Sequence, residues 1–316
     1  MRVLNQRRDK PGIILMKKLS IALVVGPLLF LTSCNVQKEG LVIMTDHSYK
    51  ATVLATTKQS GFGSPDGLVW HKGKLYLADE GAVALEAWNR DEGLKKLAAA
   101  NLGFKSPEDL VIDAQGNIFF TDDDAGGLWE LAADGKFREI AGQDKGLYST
   151  EGLALAPDGS ILVGDGEQHK VFRVTRDGTV TEFLGRDAGI TKPESMVFDD
   201  RGNLYIADNE DQVLYLLDRD HKLHRIIDRS DSFSPETIFF ARGSLYITDS
   251  HNGRLFKYTP GEELKTIAAF GGQLKNVQGV TVDDQGSIFL TVQTDLKHKV
   301  GSIIEIEKEA SSIAQK

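Results

Sequence analysis

The sequence lacks the residues on which several common enzyme classes depend. Its single cysteine, Cys34, allows neither an internal disulfide nor a paired-cysteine metal site. It has no Gly-x-Ser-x-Gly stretch, no glycine-rich phosphate loop and no His-x-x-x-His spacing. A serine hydrolase, a phosphate-loop nucleotide hydrolase and a dedicated zinc motif are therefore not indicated.

Long apolar runs are also scarce, and the clearest one lies near the amino end. It covers the 13 residues 19–31 behind two lysines, which is short of the roughly 20 that span a membrane. The Leu-Thr-Ser-Cys sequence that ends at Cys34 resembles a bacterial lipobox. We therefore expect residues 1–33 to be a lipoprotein signal peptide that naturally starts at Met16, with Cys34 lipidated. An uncleaved anchor is the alternative. Either places the domain outside the cytoplasm, facing the periplasm or at the cell surface.

Basic residues are too few for a nucleic-acid-binding protein. The whole chain has a net charge of −9. Residues 1–33 hold six basic residues and one acidic residue, so the remainder has 31 basic against 45 acidic residues and a net charge of −14. Such a surface repels a phosphate backbone. We expect a monomer that binds a small molecule and contacts the membrane only through its lipid.

Six copies of one sequence pattern follow residue 60. Each copy opens with a polar residue ahead of an apolar strand, and the copies are 42 or 43 residues apart. The residues in register are Asp66, Glu108, Glu151, Glu194, Glu236 and Gln278. A period in the low forties with about four short strands per copy is typical of β-propeller blades. The sequence thus predicts an all-β, six-bladed propeller over residues 47–308, preceded by a tether over residues 34–46 and followed by a tail over residues 309–316.

The sixth copy has only three strands of its own. Residues 49–57 alternate between apolar and polar side chains, as a strand does. We expect this segment to complete the sixth blade and close the ring, which would protect its edges. The three tryptophans, Trp70, Trp88 and Trp129, are expected to pack between blades.

Two rings of polar residues are expected on one face, because a hairpin returns its second strand to the face where the first began. The inner ring consists of the six residues in register. The outer ring follows the second strand and consists of Asp79, Asp122, Asp165, Asp208 and Asp249. At 6 Å and an effective dielectric of 20, each pair of inner-ring carboxylates would cost roughly 3 kcal/mol. A divalent cation, raised pKa values or bonds to backbone amides would relieve this repulsion.

The sequence allows both a structural and a functional role for each ring. Inner-ring acids either form a site or bind backbone amides of the next blade. The outer ring suits Asx turns, although Asp208 and Asp249 stay candidate ligands. His169, His251 and His298 lie in loops on the same face and are acid–base candidates ranked below the carboxylates.

The openings SPDGLV, KPESMV and SPETIF resemble those of the senescence-marker protein, gluconolactonase and LRE-like family of six-bladed propellers, with a weaker similarity to NHL repeats. The resemblance covers most of residues 61–307. It implies a calcium or zinc ion at the central opening, with Asp66, Glu194 and Glu236 as ligands. The family usually has Glu, Asn and Asp at these places, and each replacement still offers carboxylate oxygens.

The resemblance further implies a metal-dependent, gluconolactonase-like hydrolase of a small lactone or related ester. The cation, calcium in preference to magnesium, manganese or zinc, would polarise the carbonyl, and Glu236 would activate water as a general base. Glu108, Glu151 and Gln278 would be further ligands or substrate contacts. The alternative is a non-catalytic, lipid-anchored propeller that binds a protein or glycan partner.

Overall fold

The structure of the protein is a computed structural model that describes residues 13–15, 41–228, 233–295 and 297–309. The apolar run of the predicted signal peptide and Cys34 lie outside these residues. No helix within the described ranges is long and apolar enough to cross a membrane. The lipoprotein assignment stays a prediction.

Strands are the dominant regular structure of the described chain, and its helices are short. Three strands precede the first inner strand, namely β1 (Ile13–Leu15), β2 (Leu41–Met44) and β3 (Tyr49–Thr56). The first blade contains β4 (Pro65–His71), β5 (Lys74–Asp79), β6 (Ala84–Asn89) and β7 (Gly93–Ala99). The second contains β8 (Pro107–Ile112), β9 (Ile118–Asp122), β10 (Gly127–Leu131) and β11 (Phe137–Ala141). The third contains β12 (Thr150–Leu155), β13 (Ile161–Asp165), β14 (Lys170–Val174) and β15 (Val180–Leu184).

The same arrangement continues through the second half of the ring. The fourth blade contains β16 (Pro193–Phe198), β17 (Leu204–Asp208), β18 (Val213–Leu217) and β19 (Leu223–Ile227). The fifth contains β20 (Ile238–Ala241), β21 (Ser244–Asp249), β22 (Arg254–Tyr258) and β23 (Lys265–Gly271). The sixth contains β24 (Asn276–Val282), β25 (Ile288–Asp295) and β26 (Val300–Lys308), together with β3. The predicted six-bladed propeller with four-stranded antiparallel blades is confirmed.

The ring closes by pairing the two ends of the domain. Strand β3 runs antiparallel to β26, with Tyr49 opposite Lys308 and Thr56 opposite Ser302. Ala51 and Ala55 of β3 are buried in the neighbouring apolar clusters. The prediction that an N-terminal strand completes the last blade is confirmed, because the alternating side chains of this segment suit one buried and one open face.

The fifth blade carries two additional strands. Strand β2 pairs with the outermost strand β23, and β1, which lies within the predicted signal peptide, pairs with β2. Val42 and Met44 are buried and join the apolar cluster between the fifth and sixth blades. The segment interpreted as a tether, residues 34–46, thus contains a strand, since alternate residues of its apolar run are buried where it covers a sheet edge.

Apolar residues are concentrated between neighbouring blades. Six clusters of buried side chains lie at the six blade contacts. Trp70 stacks on Phe289 with ring centroids 5.4 Å apart, which joins the first and last blades. Trp88 belongs to the same contact, and Trp129 packs with Phe120 in the cluster between the first two blades. The predicted packing role of the tryptophans is confirmed.

Short helices begin the connections from an outer strand to the next inner strand. In the described chain these are α1 (Thr57–Ser60) and the 3-10 turns Ala100–Leu102, Gln143–Lys145, Arg186–Ala188 and Gly272–Leu274. Each connection crosses one face of the ring and delivers an inner-ring residue to the central opening. The position of these connections therefore determines the geometry of that opening.

Candidate active site at the central opening

The outer-ring aspartates bind backbone amides. All five are fully buried, with 0% of their surface exposed. Asp79 accepts the N–H groups of Gly63 at 2.6 Å and Ser64 at 2.9 Å, in the segment that leads to the inner strand. It also accepts the N–H of Ala82 at 2.9 Å, in the turn after its own strand. The aspartate thus joins two loops of one blade, as an Asx-type turn does.

Asp208 and Asp249, which the sequence left as ligand candidates, have the same surroundings. Asp208 accepts the N–H groups of Lys192 at 3.2 Å and Asp211 at 3.0 Å. Asp249 accepts the backbone N–H of Asn252 at 2.8 Å and is also bound by its side-chain amide. Backbone and loop donors therefore surround both carboxylates, and their role here is to hold the segments that carry the inner ring.

The inner-ring acids lie in a different electrostatic environment. Burial, reinforced by the charge of Glu236, raises the pKa of Asp66 and of Glu194 well above the usual range. Burial and then the charge of Asp66 do the same to the pKa of Glu108. Burial also raises the pKa of Glu151 to about 7. The carboxylates of the inner ring are thus close enough to disfavour each other's charge.

One further acid joins this cluster. Asp109 directly follows Glu108, at a place where the other blades have glycine, serine or threonine. Burial raises its pKa to about 7, although the backbone N–H of Leu110 binds its carboxylate. Sequence reasoning missed Asp109 because its position alternates away from the ring residues in a regular strand.

Side chains directly after the outer-ring aspartates hold the inner ring. Asn209 donates from Nδ2 to Glu194 at 3.0 Å and to Glu236 at 3.2 Å. Ser250 donates from Oγ to Glu236 at 2.5 Å. Glu236 is therefore held by two neutral donors from two blades. The sequence does give one signal for Asn209 and Ser250, because each directly follows an outer-ring aspartate.

The sixth blade supplies a matching amide network. Gln293 donates from Nε2 to Asp66 at 3.1 Å and accepts from Gln278 at 3.3 Å and from Asn276 at 2.8 Å. Gln278 itself is buried. The neutral member of the inner ring thus orients the glutamine that binds Asp66.

A lysine also lies within the acidic ring. The Nζ of Lys192 is 3.2 Å from Oε1 of Glu151 and 3.1 Å from Oε2 of Glu194. Burial disfavours its charge, but Glu194 and Glu151 outweigh that effect and raise the pKa of Lys192. It stands two residues before Glu194, where four of the other copies have serine and one has asparagine. The repeat pattern alone did not indicate a role for this lysine.

An open cavity lies beside the two residues that bind Glu236. It has a volume of about 510 Å³ and is lined by Asn209, Ser234, Ser250, His251, Lys275 and Asn276. Asn209 and Ser250 are the two donors that hold Glu236. A small molecule in this cavity would therefore contact the two residues that hold that carboxylate, within reach of polar donors from three blades.

The structure separates the three histidine candidates. His251 lines the cavity. His169 donates from Nδ1 to the carbonyl of Thr191 at 2.6 Å, in the connection before the fourth blade. His298 pairs with Asp295 at 2.7 Å, and 66% of its side chain is exposed. Of the three, His251 alone is among the residues that line this cavity.

Comparison with known proteins identifies the family. Residues 28–251 match the SMP-30/Gluconolactonase/LRE-like region. The chain belongs to this family. The match extends over most of the propeller, and the fold agrees with it. The protein is thus a gluconolactonase-like propeller.

Solved structures of related folds include known and putative enzymes. A gluconolactonase from Xanthomonas campestris has a TM-score of 0.65 and 16% identity, covering 88% of this chain and 94% of that chain. A putative gluconolactonase has a TM-score of 0.65 and 18% identity, covering 84% and 94%. A streptogramin B lyase has a TM-score of 0.64 and 14% identity, covering 83% and 98%. At such identities the likeness concerns the fold. No curated protein sequence matches the chain.

Enzymes of this family typically depend on a divalent metal, but the predicted ligands do not fit such an ion in their present arrangement. Asp66 is bound by Gln293, Glu194 by Lys192, and Glu236 by two neutral donors. Among the described residues, no three His, Cys, Asp or Glu side chains are placed to hold a metal. The ammonium between two ring carboxylates would also repel a divalent cation. Calcium binding stays a prediction, and the chemistry below uses protein groups alone.

Proposed function

We propose that this protein hydrolyses a small lactone or related ester, with Glu236 as the general base. The observation that carries the proposal is the position of Glu236. Its two hydrogen-bond donors, Asn209 and Ser250, also line the cavity. A carboxylate whose donors line an open polar cavity supports this role, because general-base catalysis needs a base within hydrogen-bond reach of a water beside the substrate.

The reaction needs one water molecule and one proton acceptor. Glu236 takes a proton from water as the water oxygen forms a bond to the carbonyl carbon. The C–O bond of the lactone then breaks, and the proton passes from Glu236 to the leaving alkoxide, which yields a hydroxy acid. Ionised Glu236 is required at the start, and the donors Asn209 and Ser250 fix the position of its carboxylate.

The cavity supplies groups for the rest of the substrate. His251, Lys275 and Asn276 present N–H donors around the opening. Such donors bind the hydroxyl and carbonyl oxygens of a sugar-like lactone. A polar cavity of this kind fits a small, oxygen-rich substrate better than an apolar ester.

The substitution Glu236→Gln tests the assignment. Removing the base should lower the rate of lactone hydrolysis by about 10²–10⁴-fold, measured as proton release from a panel of aldonolactones at constant pH. The melting curve should stay that of a folded propeller. Glu262→Gln is the matched control, because Glu262 is exposed and pairs with Lys265 away from the ring. Unchanged turnover in Glu236→Gln would refute the assignment of the base.

The competing function is a non-catalytic propeller that binds a protein or glycan. The openness of the ring face beside Lys275 favours it, since a large partner would have access. This alternative predicts no turnover of any lactone above the spontaneous rate. Two results together would favour this alternative over our proposal. The wild-type protein would hydrolyse no lactone, and Glu236→Gln would still bind the partner.

The location of the protein is part of the proposal. The Leu-Thr-Ser-Cys sequence and the preceding apolar run support an extracytoplasmic protein anchored by lipid at Cys34. We expect the wild-type protein in the membrane fraction, and Cys34→Ala in the soluble extracytoplasmic fraction or uncleaved. Equal fractionation and equal mass of both proteins would contradict the anchor.

A further inference from the structure

Lys192 departs from the repeat at a place beside two carboxylates of the inner ring. Its place is two residues before the ring position, and the corresponding residues are Ser64, Ser106, Ser149, Ser234 and Asn276. A serine or asparagine there brings no charge. The ammonium of Lys192 contacts Glu151 of the third blade and Glu194 of its own blade. It therefore links two blades across the ring.

A glycine in the neighbouring blade leaves space for this lysine. The residue after each outer-ring aspartate carries a polar side chain in the other blades, but in the third blade it is Gly166. A Cβ atom at Gly166 would lie 3.2 Å from Cγ and 3.3 Å from Cε of Lys192, and 3.1 Å from Oε1 of Glu151. These distances are tighter than ordinary contacts. The absence of a side chain at this position therefore accommodates the aliphatic part of the lysine.

The lysine is also anchored at its backbone. Asp208 is fully buried and accepts the N–H of Lys192 at 3.2 Å. The side chain remains 33% exposed, whereas the side chains of Glu151 and Glu194 are 4% and 9% exposed. An ammonium has three donors, so a substrate oxygen at the opening can approach a group that already holds two carboxylates.

We infer that the ammonium of Lys192 takes the place of a divalent cation at the central opening, so that the propeller works without a metal. A role of this ammonium in hydrolysis rests on the function proposed above. The absence of a bound divalent cation does not, because it concerns binding alone. A fixed ammonium can stabilise negative charge on a carbonyl oxygen as it develops, and it compensates ring carboxylates that would otherwise attract a cation.

Thermal unfolding of the full chain tests the inference. After treatment with a chelator, the wild-type melting temperature should not change when calcium, magnesium, manganese or zinc is added. Lys192→Ser introduces the residue of four other blades and leaves the acids uncompensated. We expect this variant to show a saturable rise with one ion, of about 5 °C or more at 100 times its Kd. Isothermal calorimetry should detect the same binding.

Two further variants make the test independent of one substitution. Gly166→Asn introduces the residue found at this place in the fourth blade and should displace the lysine while retaining it, so it should also gain cation binding. This variant decides the matter if Lys192→Ser does not fold. Lys275→Ser removes a positive charge at the rim of the cavity and should gain no cation binding, because Lys275 has no place in the ring.

Three results would overturn the inference. They are a saturable rise in the wild-type protein, an absence of any rise in both Lys192→Ser and Gly166→Asn, and an equal rise in Lys275→Ser. These outcomes are distinct from failure of the proposed function. A metal-dependent lactonase would fail this test and still hydrolyse lactones, and a protein without turnover could pass it.

Discussion

The two acidic rings of this propeller contain the same kind of residue at fixed places in the same repeat, yet their chemical surroundings are opposite. The outer-ring aspartates are fully buried among backbone N–H donors. In the inner ring, side chains from Lys192, Asn209, Ser250 and Gln293 bind the carboxylates of Asp66, Glu151, Glu194 and Glu236. Burial and neighbouring carboxylates raise the pKa values of the inner-ring residues Asp66, Glu108 and Glu194.

The difference indicates which ring is structural and which is functional. A carboxylate saturated by the backbone has no capacity left for a ligand. Carboxylates with raised pKa values, gathered at an opening and beside a cavity, are typical of a functional site. Repetition alone therefore does not distinguish the rings, but their hydrogen-bond donors do.

The largest expected effect comes from breaking the outer ring. Asp122 accepts the N–H groups of Lys105 at 2.8 Å, Ser106 at 3.0 Å and Ala125 at 3.1 Å. Asp122→Ala leaves these donors unpaired, at about 1–3 kcal/mol each, so we expect the free energy of unfolding in urea to fall by roughly 5 kcal/mol. Asp124→Ala, at an exposed neighbour, should have little effect. A small loss in Asp122→Ala would mean that the outer ring is not structural.

A smaller effect is expected at the inner cluster, where a substitution should raise the free energy of unfolding instead of lowering it. Burial raises the pKa of Asp109 to about 7 from an ordinary value of 3.8. The folded state then holds this proton more tightly than the unfolded state. The contribution of Asp109 to the free energy of unfolding is therefore fully present below pH 3.8 and is lost as the pH rises to about 7. The loss corresponds to about 4 kcal/mol.

Asp109→Asn should remove this pH dependence and be more stable than the wild-type protein at pH 8. The measurement is the free energy of unfolding in urea between pH 4 and pH 8. Asp91→Asn, at an exposed turn, is the control and should leave the slope unchanged. The contrast between the rings would be lost if Asp109→Asn were less stable than the wild-type protein at every pH.

Most of the fold followed from the sequence because a propeller repeats one unit. The constant spacing of Glu108, Glu151 and Glu194 located the blades, and the alternation in residues 49–57 located the closing strand. Both features are local in sequence and recur, so a single chain displays them several times. Strand β2 was missed because four residues carry too little periodicity to show that they join a sheet edge.

The site was predicted less completely. The register located the inner-ring carboxylates, but it did not show that Lys192 reaches two of them, since that depends on the space left by Gly166 in another blade. Likewise Asn209 and Ser250 follow aspartates that looked like ordinary turn residues, and their side chains turn inward to Glu236. Contacts between blades depend on side-chain direction, which spacing alone does not supply.

The decisive measurement for a lactonase that works without a metal is the rate of aldonolactone hydrolysis by the wild-type protein in the presence of a strong chelator. We predict turnover above the spontaneous rate that persists with the chelator and does not rise when calcium, magnesium, manganese or zinc is restored. An absence of turnover, or turnover that appears only with a divalent cation, would contradict the account.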